Sequence, residues 1–252
     1  MIVLITNDDG FEAQGLQAFA AAMRERYETY VIAPDQGRSC CSHAVTTHAP
    51  LTLTSHGPRE WSLSGTPADC VRVGLKWLKL QPDWVLSGVN EGGNLGVDLY
   101  YSGTVAGARE ACLLGVRSMA ISQYLRRDRP RDWQLSGLRA RYAFEHWNAV
   151  QLPERTFWNL NLPVVDSQEV ALEFRECLPE PQMLGFEFER SEEPTDAMPR
   201  TSPTSQSIEQ IVYRSNYQLR PRSAGSDVAE CFGGAIVATQ LSVDWPPPPA
   251  CT

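Results

Sequence analysis

Residues 1–15 read MIVLITNDDGFEAQG, and residues 2–10 decide the fold. Ile2 to Ile5 form an apolar run of strand length, the pattern of a strand buried on both faces. The run ends in Asn7-Asp8-Asp9-Gly10. Adjacent carboxylates repel each other, and partial burial makes their joint ionisation costlier. Asp-Gly also closes many strand-to-helix turns, with one acid as a cap and the other solvated, so the pair alone has two readings. The functional one is a divalent cation that neutralises both charges.

Outward from this strand, helical and extended segments alternate. GLQAFAAAMRERY, residues 15–27, sets Leu16, Phe19, Ala20, Met23 and Tyr27 at helical spacing. TYVIAP, 29–34, is a second strand, and 35–50 form a long loop containing Ser39, Cys40, Cys41 and His43. Residues 51–65 predict a hairpin turning at Gly57-Pro58. Thr66 as cap, Pro67 at the first helical position and Asp69 three residues after the cap start a helix over 66–80. DWVLSGVN, 83–90, is a third core strand, followed by a glycine-rich loop and a small-residue helix, 104–115, stopped by Gly115. SMAIS, 118–122, is a fourth strand. Beyond it the spacing predicts a helix over 132–149, a strand at 156–163, extended stretches at 170–177 and 185–190, and a last strand in 234–243. Residues 191–207 read as a mobile polar loop or arm, and the proline run 246–249 excludes regular structure.

Apolar strands alternating with helices imply a mostly parallel α/β sheet covered on both faces. Ligands of such sheets bind outside the carboxyl ends of the strands. That rule gathers Asp8, Asp9, the Ser39 loop and Asn90 at one crevice. Carboxylate, hydroxyl and amide oxygens suit a hard cation such as Mg²⁺ or Mn²⁺, and their chemistry disfavours zinc. In 87–105, SGVNEGGNLGVDLYYSGTV, glycines let backbone N–H groups approach an anion. Gly103-Thr104 would open a helix whose positive end favours phosphate, with Ser102, Thr104 and Asn94 as further donors.

Other chemistries lack their signatures. There is no GxxxxGK[ST] phosphate loop, no GxGxxG after the first strand and no GxSxG elbow. The seven cysteines are scattered and form no CxxC, so neither a thiolate zinc site nor a disulfide framework is indicated. The net charge of −8 argues against a nucleic-acid backbone as partner. The arginine run YLRRDRPRDW reads as a solvated loop. No apolar run reaches the roughly 20 residues of a membrane span, no secretory leader is evident, and a reducing cytoplasm is the expected location.

NDDG, APDQGRS, SGTPADCV, SGVNEGGNLG and YSGTVAGAREA occur in one order over residues 7–111, and in that order they resemble the SurE family of survival proteins. The resemblance is dense over 1–122 and weaker at FWNLNLP and GSDVAECFGGAIVATQLSV. It implies a Rossmann-like three-layer α/β core with a mostly parallel sheet and a metal-dependent phosphomonoesterase that releases phosphate from nucleoside monophosphates, a 5′-nucleotidase with 3′-nucleotidase and exopolyphosphatase activities as extensions. Carried over, one divalent cation per subunit (Mg or Mn) would be held by Asp8, Asp9, Ser39 and Asn90. Asn94, Ser102, Gly103 and Thr104 would contact the phosphate. Asp8 and Asp9 would be catalytic, one accepting the proton of an attacking water, with direct attack by Asp8 as the variant mechanism. The family pattern also implies a single domain over 1–252, with the site in 1–125. Residues 126–252 would complete the sheet and form a C-terminal hairpin arm for a homodimer or homotetramer with exchanged C-terminal segments. Two departures from the pattern are Gly93 in place of a proline and Cys40-Cys41 in place of smaller residues. The rival readings are a Mg²⁺-binding receiver-like signalling module and a catalytically silent nucleotide-binding protein of the same fold.

Overall fold

The computed structural model describes residues 1–191 and 209–244. The predicted strands other than 185–190 assemble into one nine-stranded sheet. In chain order these are β1 (Ile2–Thr6), β2 (Glu28–Pro34), β3 (Leu53–Gly57), β4 (Glu60–Leu63), β5 (Trp84–Glu91), β6 (Arg117–Gln123), β7 (Thr156–Leu162), β8 (Phe174–Glu176) and, at the end of the chain, β11 (Ile236–Ser242). Their spatial order is β3-β4-β2-β1-β5-β6-β7-β11-β8. Pairings from β4 through β7 are parallel; β3 against β4 and β11 against β7 are antiparallel.

Side-chain alternation along β1 sets the layers. Val3 and Ile5 join the core beneath α1 (Gln14–Arg24) and α4 (Trp133–Asn148), with Leu16, Phe19, Met23, Phe144 and Trp147. Leu4 faces the other way, with Ile32 and Val85, onto α2 (Pro67–Arg72) and α3 (Gly103–Leu113) through Cys70, Val71 and Ala111. Helices thus cover both faces, the expected three-layer α/β arrangement. From β1 the chain crosses to β2 on one side and later returns to β5 on the other. The crevice between β1 and β5 is therefore the topological switch point, where such sheets bind ligands.

Three segments differ in detail from expectation. The helix over 66–80 begins with the predicted capping box, Thr66 accepting from Asp69 N, but turns π-helical at Val73–Trp77. The widened turn seats Gly74 against Leu4 and Ile32, where a Cβ would stand 2.8 Å from Leu4 Cδ2. Of 170–177, only Phe174–Glu176 pairs, as a short edge strand. The stretch at 185–190 leaves the main sheet. It forms β9 (Phe186–Arg190), which pairs antiparallel with β10 (Ile211–Ser215) in a separate two-stranded sheet. After β10, a 3-10 turn at Tyr217–Leu219 and α5 (Asp227–Phe232) lead into β11. The predicted loop 191–207 and the proline run lie almost wholly outside the described residues. No helix among the described residues is long and apolar enough to cross a membrane.

Candidate active site

Asp8 and Asp9 leave β1 at its carboxyl end, next to β5, whose Ser87 is in register with Thr6. Asn7 closes the turn between them and α1: its Nδ2 donates to Gly10 O at 3.0 Å, and its Oδ1 accepts from Gly10 N at 3.3 Å. Gly10 has φ +106°, and a Cβ on it would stand 3.2 Å from the backbone of Gln36 and of Gly37. The loop after β2 therefore lies directly on the NDDG turn. Arg38 N completes the join by donating to Asp8 O at 2.6 Å; the next residue, Ser39, is exposed.

The Asp8 side chain is buried, 6% exposed. Its Oδ1 accepts from the Thr104 hydroxyl. Burial pushes the Asp8 carboxyl up; the Thr104 hydroxyl and the backbone N–H groups of Asp8, Thr104 and Gly103 pull in the other direction. The start of α3 therefore faces Asp8, whose charge it favours through its unpaired N–H groups. A Cβ on Gly103 would stand 2.9 Å from both Asp8 Cβ and Asp8 Oδ2, and 2.7 Å from Cys41 Sγ. Glycine is what lets these three meet.

Asp9 takes the other side of the crevice. Its Oδ2 accepts from Glu91 N at 2.8 Å, which ties it to the end of β5 beside Asn90. Burial, then the charges of Asp8 and Glu91, raise its pKa to about 6, although the Glu91 N–H opposes them. Asn90 donates through Nδ2 to Gly92 O at 2.8 Å, which turns its amide oxygen away from that contact. Arg38 and Glu91 thus tie the Ser39 loop and the end of β5 to the turn that carries the two carboxylates.

This donor set fits a hard divalent cation. Burial raises both carboxyls, the two acids are adjacent, and the remaining candidate donors are neutral oxygens. Among the described residues no group of three or more His, Cys, Asp and Glu side chains is arranged to hold a metal.

The expected phosphate donors gather at the same end with different hydrogen-bond commitments. Ser102 Oγ caps α3, accepting from Val105 N at 3.0 Å. Thr104, fully buried, spends its hydroxyl on Asp8. Asn94 Nδ2 donates to Ser122 Oγ at 2.8 Å, which fixes the loop to β6. The backbone of Asn94 is held as well: its N donates to Asn161 Oδ1 at 2.8 Å, and its carbonyl accepts from Asn159 and Asn161. Both asparagines are fully buried in β7. The sequence reading passed over them, although two asparagines inside the apolar strand FWNLNL were the visible signal.

It also passed over Glu110. This buried carboxylate on α3 bonds His43 Nε2 at 2.8 Å and accepts from Arg72 Nε at 2.6 Å. Burial acts to raise its pKa, but the His43 and Arg72 contacts outweigh it and hold it low. His43 thereby pins the Ser39 loop to α3, a structural role. Cys41, packed at the Gly103–Asp8 contact, has its thiol pushed up by burial and by the Asp8 charge.

The sequence profile of the family described as Survival protein SurE matches residues 3–178. A Synechocystis sp. protein with a provisional 5′-nucleotidase name is 37% identical over 243 residues, 96% of this chain and 100% of its own. The 5′-nucleotidase SurE of Pelotomaculum thermopropionicum is 41% identical over 169 residues, 65% of this chain and 64% of its own. The crystal structure of a SurE protein from Aquifex aeolicus superposes with a TM-score of 0.80 at 27% identity, covering 97% of this chain and 94% of that one.

Proposed function

The chain belongs to the SurE survival-protein family, and on that premise we propose that it is a 5′-nucleotidase, hydrolysing nucleoside monophosphates to nucleoside and phosphate. The observation that carries the reading is the adjacent pair Asp8-Asp9 at the switch point, its carboxyls raised by burial and facing the start of α3. Asp8, Asp9, Ser39 and Asn90 would hold one divalent cation, Mg²⁺ or Mn²⁺. Bound there, it would supply Lewis-acid polarisation and charge neutralisation for phosphoryl transfer.

This chain's own groups do the rest. Asn94, Ser102, Gly103 and Thr104 would contact the phosphate oxygens as charge builds on them; the support for this is that all four belong to the loop and helix start that face Asp8. Thr104 orients Asp8. Asp9 or Asp8 would accept the proton of the attacking water.

The proposed substrate range extends to 3′-monophosphates and short polyphosphate, whose terminal phosphate offers the same oxygens. We further assign the chain to the cytoplasm. It would be a single domain with residues 126–252 completing the sheet and supplying an arm, assembled as a homodimer or homotetramer with exchanged C-terminal segments. The β9–β10 hairpin supports an arm: Phe186, Phe188, Ile211 and Tyr213 are exposed on it, with Phe186 stacked on Tyr213 at 5.4 Å.

Phosphate release from AMP, GMP and CMP, measured with Mn²⁺, with Mg²⁺ and with EDTA, tests the function. Turnover that needs the cation and falls at least about 100-fold in Asp8→Asn and in Asp9→Asn is the expected result. Variants that keep most of the activity would remove the assignment.

A further inference from the structure

The stretch from Gly92 to Ser102 carries Asn94 and delivers Ser102 to the start of α3, yet it is glycine-rich, with φ +135° at Gly92 and +54° at Gly96. Such a segment samples many conformations when free, and a phosphate cradle requires one. Asn94 is fastened by β7. The far half of the loop is fastened from elsewhere, by side chains that follow β10.

Arg220 is fully enclosed, its side chain 0% exposed. Its NH1 donates to Asp98 Oδ2 at 2.6 Å, and its NH2 donates to Leu95 O at 2.9 Å and to Asp98 Oδ1 at 3.3 Å. The guanidinium also lies 4.6 Å over the Tyr217 ring. The Tyr217 hydroxyl stands 3.0 Å from Gly93 O and 3.1 Å from Asp98 Oδ2, both acceptors, so its one hydrogen serves either. Asp227 Oδ2 accepts from Gly96 N at 2.7 Å. Tyr217 and Arg220 reach Asp98 from 119 and 122 residues further along the chain. An enclosed cation is retained at low cost only when its partners are well placed, and two of the three acceptor atoms of Arg220 belong to Asp98 in this loop.

We propose that Arg220 and Tyr217 are positioning residues for the site: by gripping Gly93, Leu95 and Asp98 they hold the loop in the form that presents Asn94 and Ser102 to a phosphate group. They touch no reacting atom and act through the loop alone. The proposal rests on the phosphomonoesterase reading above, and it adds residues outside the eight candidate site positions.

Tyr217→Phe is the sharpest test, because it keeps the ring stacked and removes only the hydroxyl. One lost hydrogen bond of ordinary strength should lower kcat/KM for AMP roughly five- to tenfold, with KM rising and kcat falling together as the phosphate donors lose their placement. Hydrogen–deuterium exchange should quicken in 92–102 and stay unchanged in β1, β5 and β6. Arg220→Ala should lose more, and Arg220→Lys should recover part of the loss. The proposal is overturned if Tyr217→Phe leaves both kcat/KM and loop exchange as they were. It is equally overturned if kcat, KM and exchange change only in proportion to a general loss of stability. Should the wild-type chain release phosphate from no monophosphate, the activity reading fails instead. The grip is then judged by calorimetric binding of inorganic phosphate in the presence of Mn²⁺: weaker binding in Tyr217→Phe with faster loop exchange upholds it, and equal binding overturns it.

Discussion

Asp9 is held at a pKa of about 6, against 3.8 for a free aspartate, by burial and by its acidic neighbours. The folded chain therefore binds this proton more tightly than the unfolded one. Its stabilising contribution is complete below the unfolded pKa, shrinks as pH rises through 6, and leaves the ionised pair as a cost above that. Asp9→Asn removes the cost. In EDTA the variant should melt higher than the wild type at pH 7.5, by the equivalent of about 1–3 kcal/mol, with the gap closing toward pH 4.5. Thermal melts over that range measure it, while the same variant loses turnover. A destabilised acid pair is the trade that functional sites make. The acids, the Ser39 loop and Asn90 were legible from residue type and from the rule that ligands bind at strand ends. The competing use of the donors was not: nothing in a linear sequence shows that the Thr104 hydroxyl goes to Asp8 and Ser102 to a helix cap. The His43–Glu110 contact spans 67 positions, and each residue alone resembles an ordinary surface group.

At the scale of the element, α3 shows how packing overrides propensity. Its first residue is Gly103, where alanine would favour the helix by up to about 1 kcal/mol. Here a Cβ would meet Asp8 and Cys41 at under 3.0 Å. Gly103→Ala should therefore displace the Asp8 carboxylate. The expected result is a drop of at least about tenfold in kcat/KM, together with weaker Mn²⁺ binding by calorimetry, although the chain still folds. The capping box at Thr66 was legible because its signal lies within four consecutive residues. The π-helical turn that follows was not, since it answers to the sheet side chains Leu4 and Ile32 and to no local pattern. Strand β8 shrank to three residues for a related reason: at the sheet edge, extended composition is not matched by a second neighbour.

For the whole molecule, alternation of apolar strands with helices was enough to specify a covered parallel sheet, because three strand-to-helix steps and a fourth core strand are complete by residue 123. The second half carried less signal, as antiparallel β11 inserts between β7 and β8 from the far end of the chain. The β9–β10 hairpin stands outside the sheet, and a lone two-stranded hairpin is at best marginally stable in water. Its exposed Phe186, Phe188 and Tyr213 are expected to be covered by a second copy of the chain. Phe188→Ser should lower the mass seen by light scattering toward that of one 28.1 kDa chain, without loss of the far-ultraviolet helical signal. A mass unchanged by the substitution would separate the hairpin from assembly.

The two asparagines of β7 bear on how such a molecule can be divided. Every candidate donor lies before residue 105, yet the carbonyl of Asn94 is bonded from residues 159 and 161. A recombinant that splices the first 125 residues onto an unrelated scaffold would inherit the chemical groups and not the splint beneath them. Heredity of this centre is thus bound to both halves of the gene, however completely one half spells out its reactive atoms.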